Sequence, residues 1–181
     1  MGKIDEGIND ELASWIGRQH LFFVATAPLA GDGHLNCSPK GGDTFRIIDP
    51  ITVAYQDLTG SGVETIAHLR ENGRMVILFC AFEGPPKIVR LHGAGEVILP
   101  TDPEFASLSE RFPQNPGTRA IVRIKVTRVS GSCGYAVPFF DYREDRTTLD
   151  EWAEGKGPAK LKSYRQEKNA KSIDGLPGLD L

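Results

Sequence analysis

Residues 119–130, RAIVRIKVTRVS, alternate apolar with basic side chains: Ile121, Ile124 and Val126 against Arg123, Lys125 and Arg128, with one slip at Val122. Successive side chains of a strand point to opposite faces, so this period predicts a strand with one dry face and one wet face. A parallel sheet buries both faces of its strands. One-sided strands therefore point to an antiparallel sheet that wraps a single core.

The other strand-like runs agree with that reading. LFFVATAP (21–28) is apolar and ends in proline, and LAGDGH makes a turn before LNCS (35–38), the return strand of a hairpin. TFRIID and ITVAYQD flank an Asp49-Pro50 turn. RMVILFCAF (74–82) and IVRLHGAGEVI (88–98) are separated by EGPPK, and the glycines of the second permit a bulge. Helical spacing appears in INDELASWIGRQ (8–19), with Asn9 or Asp10 as N-cap, and from Gly62 to about Asn72. DPEFASLSERF (102–112) reads as a short helix capped by Asp102 with Pro103 in its first turn. This order is not a repeating βαβ. It predicts a mainly β chain, a six- to seven-stranded antiparallel barrel with short peripheral helices.

After Tyr142 the chain becomes charged and poor in β-branched residues. A barrel domain is expected over 1–142. A tail is expected over 143–181, with one helix near Trp152 capped by Thr148 or Asp150, a second over about 158–171 carrying Leu161 and Tyr164, and extended last residues. Such a tail packs on the barrel or on a partner subunit.

Composition narrows the function. The 181 residues carry a net charge of −3, without the basic excess of a nucleic-acid binder. No apolar run approaches the ~20 residues that span a bilayer. No leader pattern opens the chain. Cys37, Cys80 and Cys133 lie far apart without a C-x-x-C, and the four histidines lack metal-site spacing. Reduced thiols in a cytoplasmic protein without a metal are expected.

The stretch AYQDLTGSGVETIAHL (54–69) supports two readings. Ser61-Gly62-Val63-Glu64 has the form of a capping box, in which Ser61 and Glu64 satisfy each other's amides. The same helix start, with glycines at 60 and 62 and hydroxyls at 59 and 61, suits a phosphate. It matches neither the P-loop nor the dinucleotide fingerprint. No nucleophile elbow is present: Gly131-Ser132-Cys133-Gly134 lacks the required pattern. Asp57 and His68 form an acid-base pair only on paper, with His68 expected at the surface.

The order HLFFVATAP, GHLNCSPKGG, ITVAYQDLTGSGVETIAHLRENGRMVILFCAF, IVRLHGAGEVI resembles the pyridoxamine 5'-phosphate oxidase-like family of FMN-binding split barrels, over residues 18–135. NCSPKGG, SCGYAVP and EKNAKSIDGLPGL look like a branch apart from the vitamin B6 oxidase itself. The resemblance implies a homodimer with FMN at its interface and a small-molecule substrate. It implies flavin contacts at Ser38, Pro39 and Lys40, at Tyr55, Gln56 and Asp57, and, around the phosphate, at Thr59, Ser61, Gly62 and Thr65. Cys133 and Tyr135 would reach the ring from the second subunit. Where the oxidase has Ser-Arg-Lys, this chain has Val63, Glu64 and Thr65, so Lys40 or Arg46 would supply the positive charge. Oxidoreductase activity through the flavin is the implied function. The alternatives are a flavin- or haem-binding sensor, a deazaflavin protein, and a barrel that works by association alone.

Overall fold

In a computed structural model that describes residues 4–180, the elements run β1 (Ile4–Asp5), α1 (Asp10–Ile16), β2 (Leu21–Thr26), β3 (Asn36–Gly41), β4 (Phe45–Asp49), β5 (Thr52–Leu58), α2 (Glu64–Asn72), β6 (Arg74–Cys80), β7 (Ile88–Ile98), α3 (Phe105–Ser109), β8 (Thr118–Ser132) and α4 (Thr148–Lys168). Residues 1–3 and 181, the outermost parts of the expected barrel and tail, lie outside the described residues. All ladders are antiparallel, in the order β3-β2-β6-β7-β8-β5-β4, with the two-residue β1 beside the end of β8. Among the described residues no ladder joins β3 to β4, so the curled sheet is split between them. The fold is an antiparallel split barrel, mainly β, with peripheral helices.

The interior is built by alternation. Phe22 and Val24 of β2, Met75, Ile77 and Phe79 of β6, and Val122, Ile124 and Val126 of β8 enter one core. Phe22, Phe45, Tyr55 and Phe79 meet there with ring centroids 5.2–5.8 Å apart, within the range that favours tilted and edge contacts. Val122 is thus in register with the core, and Ile121 is the slip. Ile121 lies on the face of Arg123 and Lys125, where Leu108 and Phe112 cover it. The period of the sequence is right, and α3 dries part of the wet face.

Asn9 caps α1, its Oδ1 accepting from the Leu12 amide at 2.8 Å. The third helix shrinks to 105–109, because Asp102 spends its carboxylate on the Leu99 amide. In the tail, Gly157 has φ 69° and breaks α4 in two. Only glycine takes that conformation cheaply, and Pro158 then opens the second segment, where a missing amide costs nothing. Trp152 and Tyr164 pack edge-on across the break at 5.1 Å. No helix among the described residues is long and apolar enough to cross a membrane.

A candidate anion pocket at the front of the second helix

The capping box of residues 61–64 does not form. Helix α2 starts at Glu64, its N-cap position is Val63, and no side chain caps it. Ser61 is exposed. The box fails because residues 169–180 fold back over this turn. Asn169 donates to Gly60 O at 2.9 Å and to Ser61 O at 3.3 Å. The Ile173 amide donates to Glu64 Oε1 at 3.3 Å. Leu179 is buried against Val63, Ile66 and Ala120. Arg165 Nε donates to Thr59 Oγ1 at 2.8 Å, and Arg70 bonds Gly178 O and Asp180.

On the other side of the turn lies a pocket of about 140 Å3, formed by Asn36, Ser38 and Lys40 of β3, Leu58, Gly60, Gly62, Glu64, Thr65 and Arg119. Strand alternation puts Asn36, Ser38 and Lys40 on its wall and turns Cys37 and Pro39 outward. Asn36 Nδ2 donates to Thr65 Oγ1 at 2.9 Å, and Ser38 Oγ donates to Asn36 Oδ1 at 3.2 Å. Beneath them Asp57, fully buried, accepts from Lys40 Nζ at 3.0 Å and from Arg119 Nε at 2.7 Å. Burial alone would raise the Asp57 carboxyl. The two cations outweigh it and hold its pKa down to about 2. Arg119 also donates to Gly62 O at 2.8 Å, tying the turn to the barrel.

Arg119 was invisible in the sequence, where it reads as another wet-face base. It is the extra residue of a bulge: Asp57 pairs with Ala120 and Leu58 with Thr118, leaving Arg119 unpaired between them. A bulge re-aims the side chain it carries, here onto Asp57. Arg46, the other expected cation, is elsewhere, bridging Asp43 at 2.5 Å and covering the Phe112 ring.

The remaining expected positions disperse. Tyr55 sits in the aromatic core; its hydroxyl is buried without a hydrogen-bond partner among the described residues, and burial keeps the phenol protonated. Gln56 faces away, donating to Pro113 O and Thr118 Oγ1. Thr59 is buried, and its hydroxyl donates to Gly117 O at 2.7 Å. Cys133 and Tyr135 are exposed after β8 and do not reach the pocket within this chain. His68, expected at the surface, is fully buried: Thr26 Oγ1 lies 2.9 Å from its Nδ1, and burial lowers its pKa. It makes no contact with Asp57, so no acid-base pair exists there.

The donors suit one phosphoryl group. Lys40 and Arg119 keep N–H groups beyond those bonded to Asp57 and the turn, Thr65 adds a hydroxyl, Ser38 adds another when its hydrogen turns from Asn36 Oδ1, and among the described residues the Gly60, Ser61 and Gly62 amides make no hydrogen bond. The exception is Glu64, whose Oε2 lies 2.5 Å from where a Cβ on Gly62 would stand. A Cβ at 62 would push that carboxylate aside, so the glycine leaves room for Glu64 to lie against the turn.

Comparison with known proteins fits this architecture. Residues 8–133 match the sequence family described as pyridoxamine 5'-phosphate oxidase. The pyridoxamine 5'-phosphate oxidase family protein ustO of Aspergillus flavus is 41% identical over 191 residues, covering 96% of this chain and 76% of that protein. Among solved structures, HupZ of Group A Streptococcus superposes with a TM-score of 0.52 at 25% identity, over 67% of this chain and 91% of its own. A Lactobacillus delbrueckii protein named after pyridoxamine 5'-phosphate oxidase gives 0.55 at 17% identity, over 69% and 94%, which shows the shared fold. By the family match over most of its length and by its 41% identity to the Aspergillus flavus protein, the chain belongs to the pyridoxamine 5'-phosphate oxidase family.

Proposed function

We propose that the protein is a flavin-dependent oxidoreductase that holds FMN between two copies of the chain and acts on a small molecule. The observation that supports this most is the donor-lined pocket at the front of α2. A bound flavin supplies the hydride or electron transfer, which fits the absence of a nucleophile-base pair among the described site residues. The residues of this chain do the binding. Lys40 and Arg119 set the charge, Ser38 and Thr65 orient the phosphoryl oxygens, and Asp57 keeps both cations in place. Cys133 and Tyr135 would approach the ring from the partner. Tyr135, Phe139 and Phe140 are 83%, 77% and 60% exposed, an apolar surface that suits a subunit contact. The three free thiols suit the reducing cytoplasm.

The absorption spectrum of the purified protein, with mass identification of any released chromophore, tests the reading. Flavin bands and a mass of FMN are expected. A colourless protein that stays colourless with added FMN would contradict it.

A further inference from the structure

Resting on the flavin reading, we propose that Glu64 is a specificity-determining residue: it weakens the pocket for a phosphoryl dianion and so narrows the preference for FMN over its unphosphorylated form. Lys40, Arg119 and Glu64 line the pocket, Asp57 lies beneath it, and Arg165 stands behind the turn, bonded to Thr59. Lys40 and Arg119 are positive. Asp57 takes one hydrogen bond from each through its separate oxygens, which leaves no net charge on those two cations beyond a single positive unit. Glu64 opposes that unit from inside the pocket, while Arg165 adds positive charge from behind the turn. Its carboxylate bounds the pocket directly, packs against Gly62, and is held in place by the Ile173 amide of the folded-back tail.

A dianion entering this space meets the cations together with one carboxylate on the pocket wall. Two like charges this close, partly shielded by protein, repel strongly enough to change affinity by an order of magnitude or more. A hydroxyl-bearing group meets the same donors without the repulsion. Glu64 is thus the group that sets how strongly the phosphorylated ligand is preferred, and the tail fixes its position.

The test is the ratio of affinities for FMN and riboflavin, which differ by the phosphate alone, measured by fluorescence quenching on wild type and on Glu64→Gln. Glutamine keeps an amide oxygen for the Ile173 N–H, so the tail stays docked and only the charge is lost. The expected result is FMN binding roughly 10- to 100-fold tighter in Glu64→Gln, with riboflavin within about twofold of wild type. Glu64→Ala, which loses the tail contact as well, should show the same gain for FMN alone, separating charge from packing. If wild type binds flavin and the FMN-to-riboflavin ratio does not move in Glu64→Gln, the proposal is overturned while the flavin reading stands. If folded wild type binds neither flavin, the flavin reading itself fails and this one falls with it.

Discussion

Asp57 is fully buried, yet its carboxyl titrates at about 2 because Lys40 and Arg119 outweigh the cost of burial. Its value in the folded chain is thus below its value of about 3.9 in the unfolded chain. The stabilisation is complete above pH 4 and is lost as pH falls from about 4 through 2. The difference corresponds to on the order of 2 kcal/mol. Urea unfolding at pH 7 and pH 3 checks this: wild type should weaken on acidification, and Asp57→Asn should lose this component of the pH dependence. At pH 7 the same variant should cost about 3 kcal/mol, since it leaves Arg119 buried without its counter-charge. An Asp57→Asn protein as stable as wild type at pH 7 would remove the triad from the account of stability. Asp57 and Lys40 were both named from the sequence as candidate flavin contacts, and the fold brings them together as an ion pair. Arg119 was not. Its side chain is aimed by a bulge set by the register of β5 against β8, and pairing register between strands about 60 residues apart leaves no local mark.

At the scale of elements, the strands were legible and the helix boundaries less so. Period-2 patterning survives in β2, β6 and β8 because one core covers one face of each. The capping box at 61–64 failed because a competing partner more than 100 residues away took Glu64, and local sequence cannot report such competition. His68 was misplaced for a similar reason. A short helix exposed on its own becomes covered when β2, β6, β7 and the folded-back tail pack around it. The tail is also pinned to the β2–β3 loop: His34 Nδ1 lies 2.6 Å from Asp174 Oδ1, and the His34 amide donates to Asp174 Oδ2 at 2.8 Å. The hydrogen bond to Asp174 raises the His34 pKa. The pair's contribution is therefore full below about pH 6.5, the unfolded value, and fades as pH rises through the higher folded value. Hydrogen exchange of residues 169–180 should be slower at pH 6 than at pH 8 after correction for intrinsic rates. Asp174→Asn should erase the difference; a difference that persists in that variant would place the pH dependence elsewhere.

For the whole molecule, the barrel closes its own core but leaves aromatic residues outside it. Tyr135, Phe139 and Phe140 follow β8 on a segment without regular structure. A homodimer that buries them is expected, and light scattering should report twice the 19.8 kDa chain mass. Replacing Tyr135 and Phe139 by Ser should shift the protein toward monomer; a wild type that is monomeric at micromolar concentration would contradict the interface. The most direct test remains binding at the pocket itself: calorimetric titration with FMN of wild type and of the Ser38→Ala, Lys40→Ala double variant, both shown folded by circular dichroism. The predicted result is a saturable wild type and a double variant weaker by about 2–4 kcal/mol. Equal FMN affinity in the two proteins would contradict the assignment of the phosphoryl group to the front of α2.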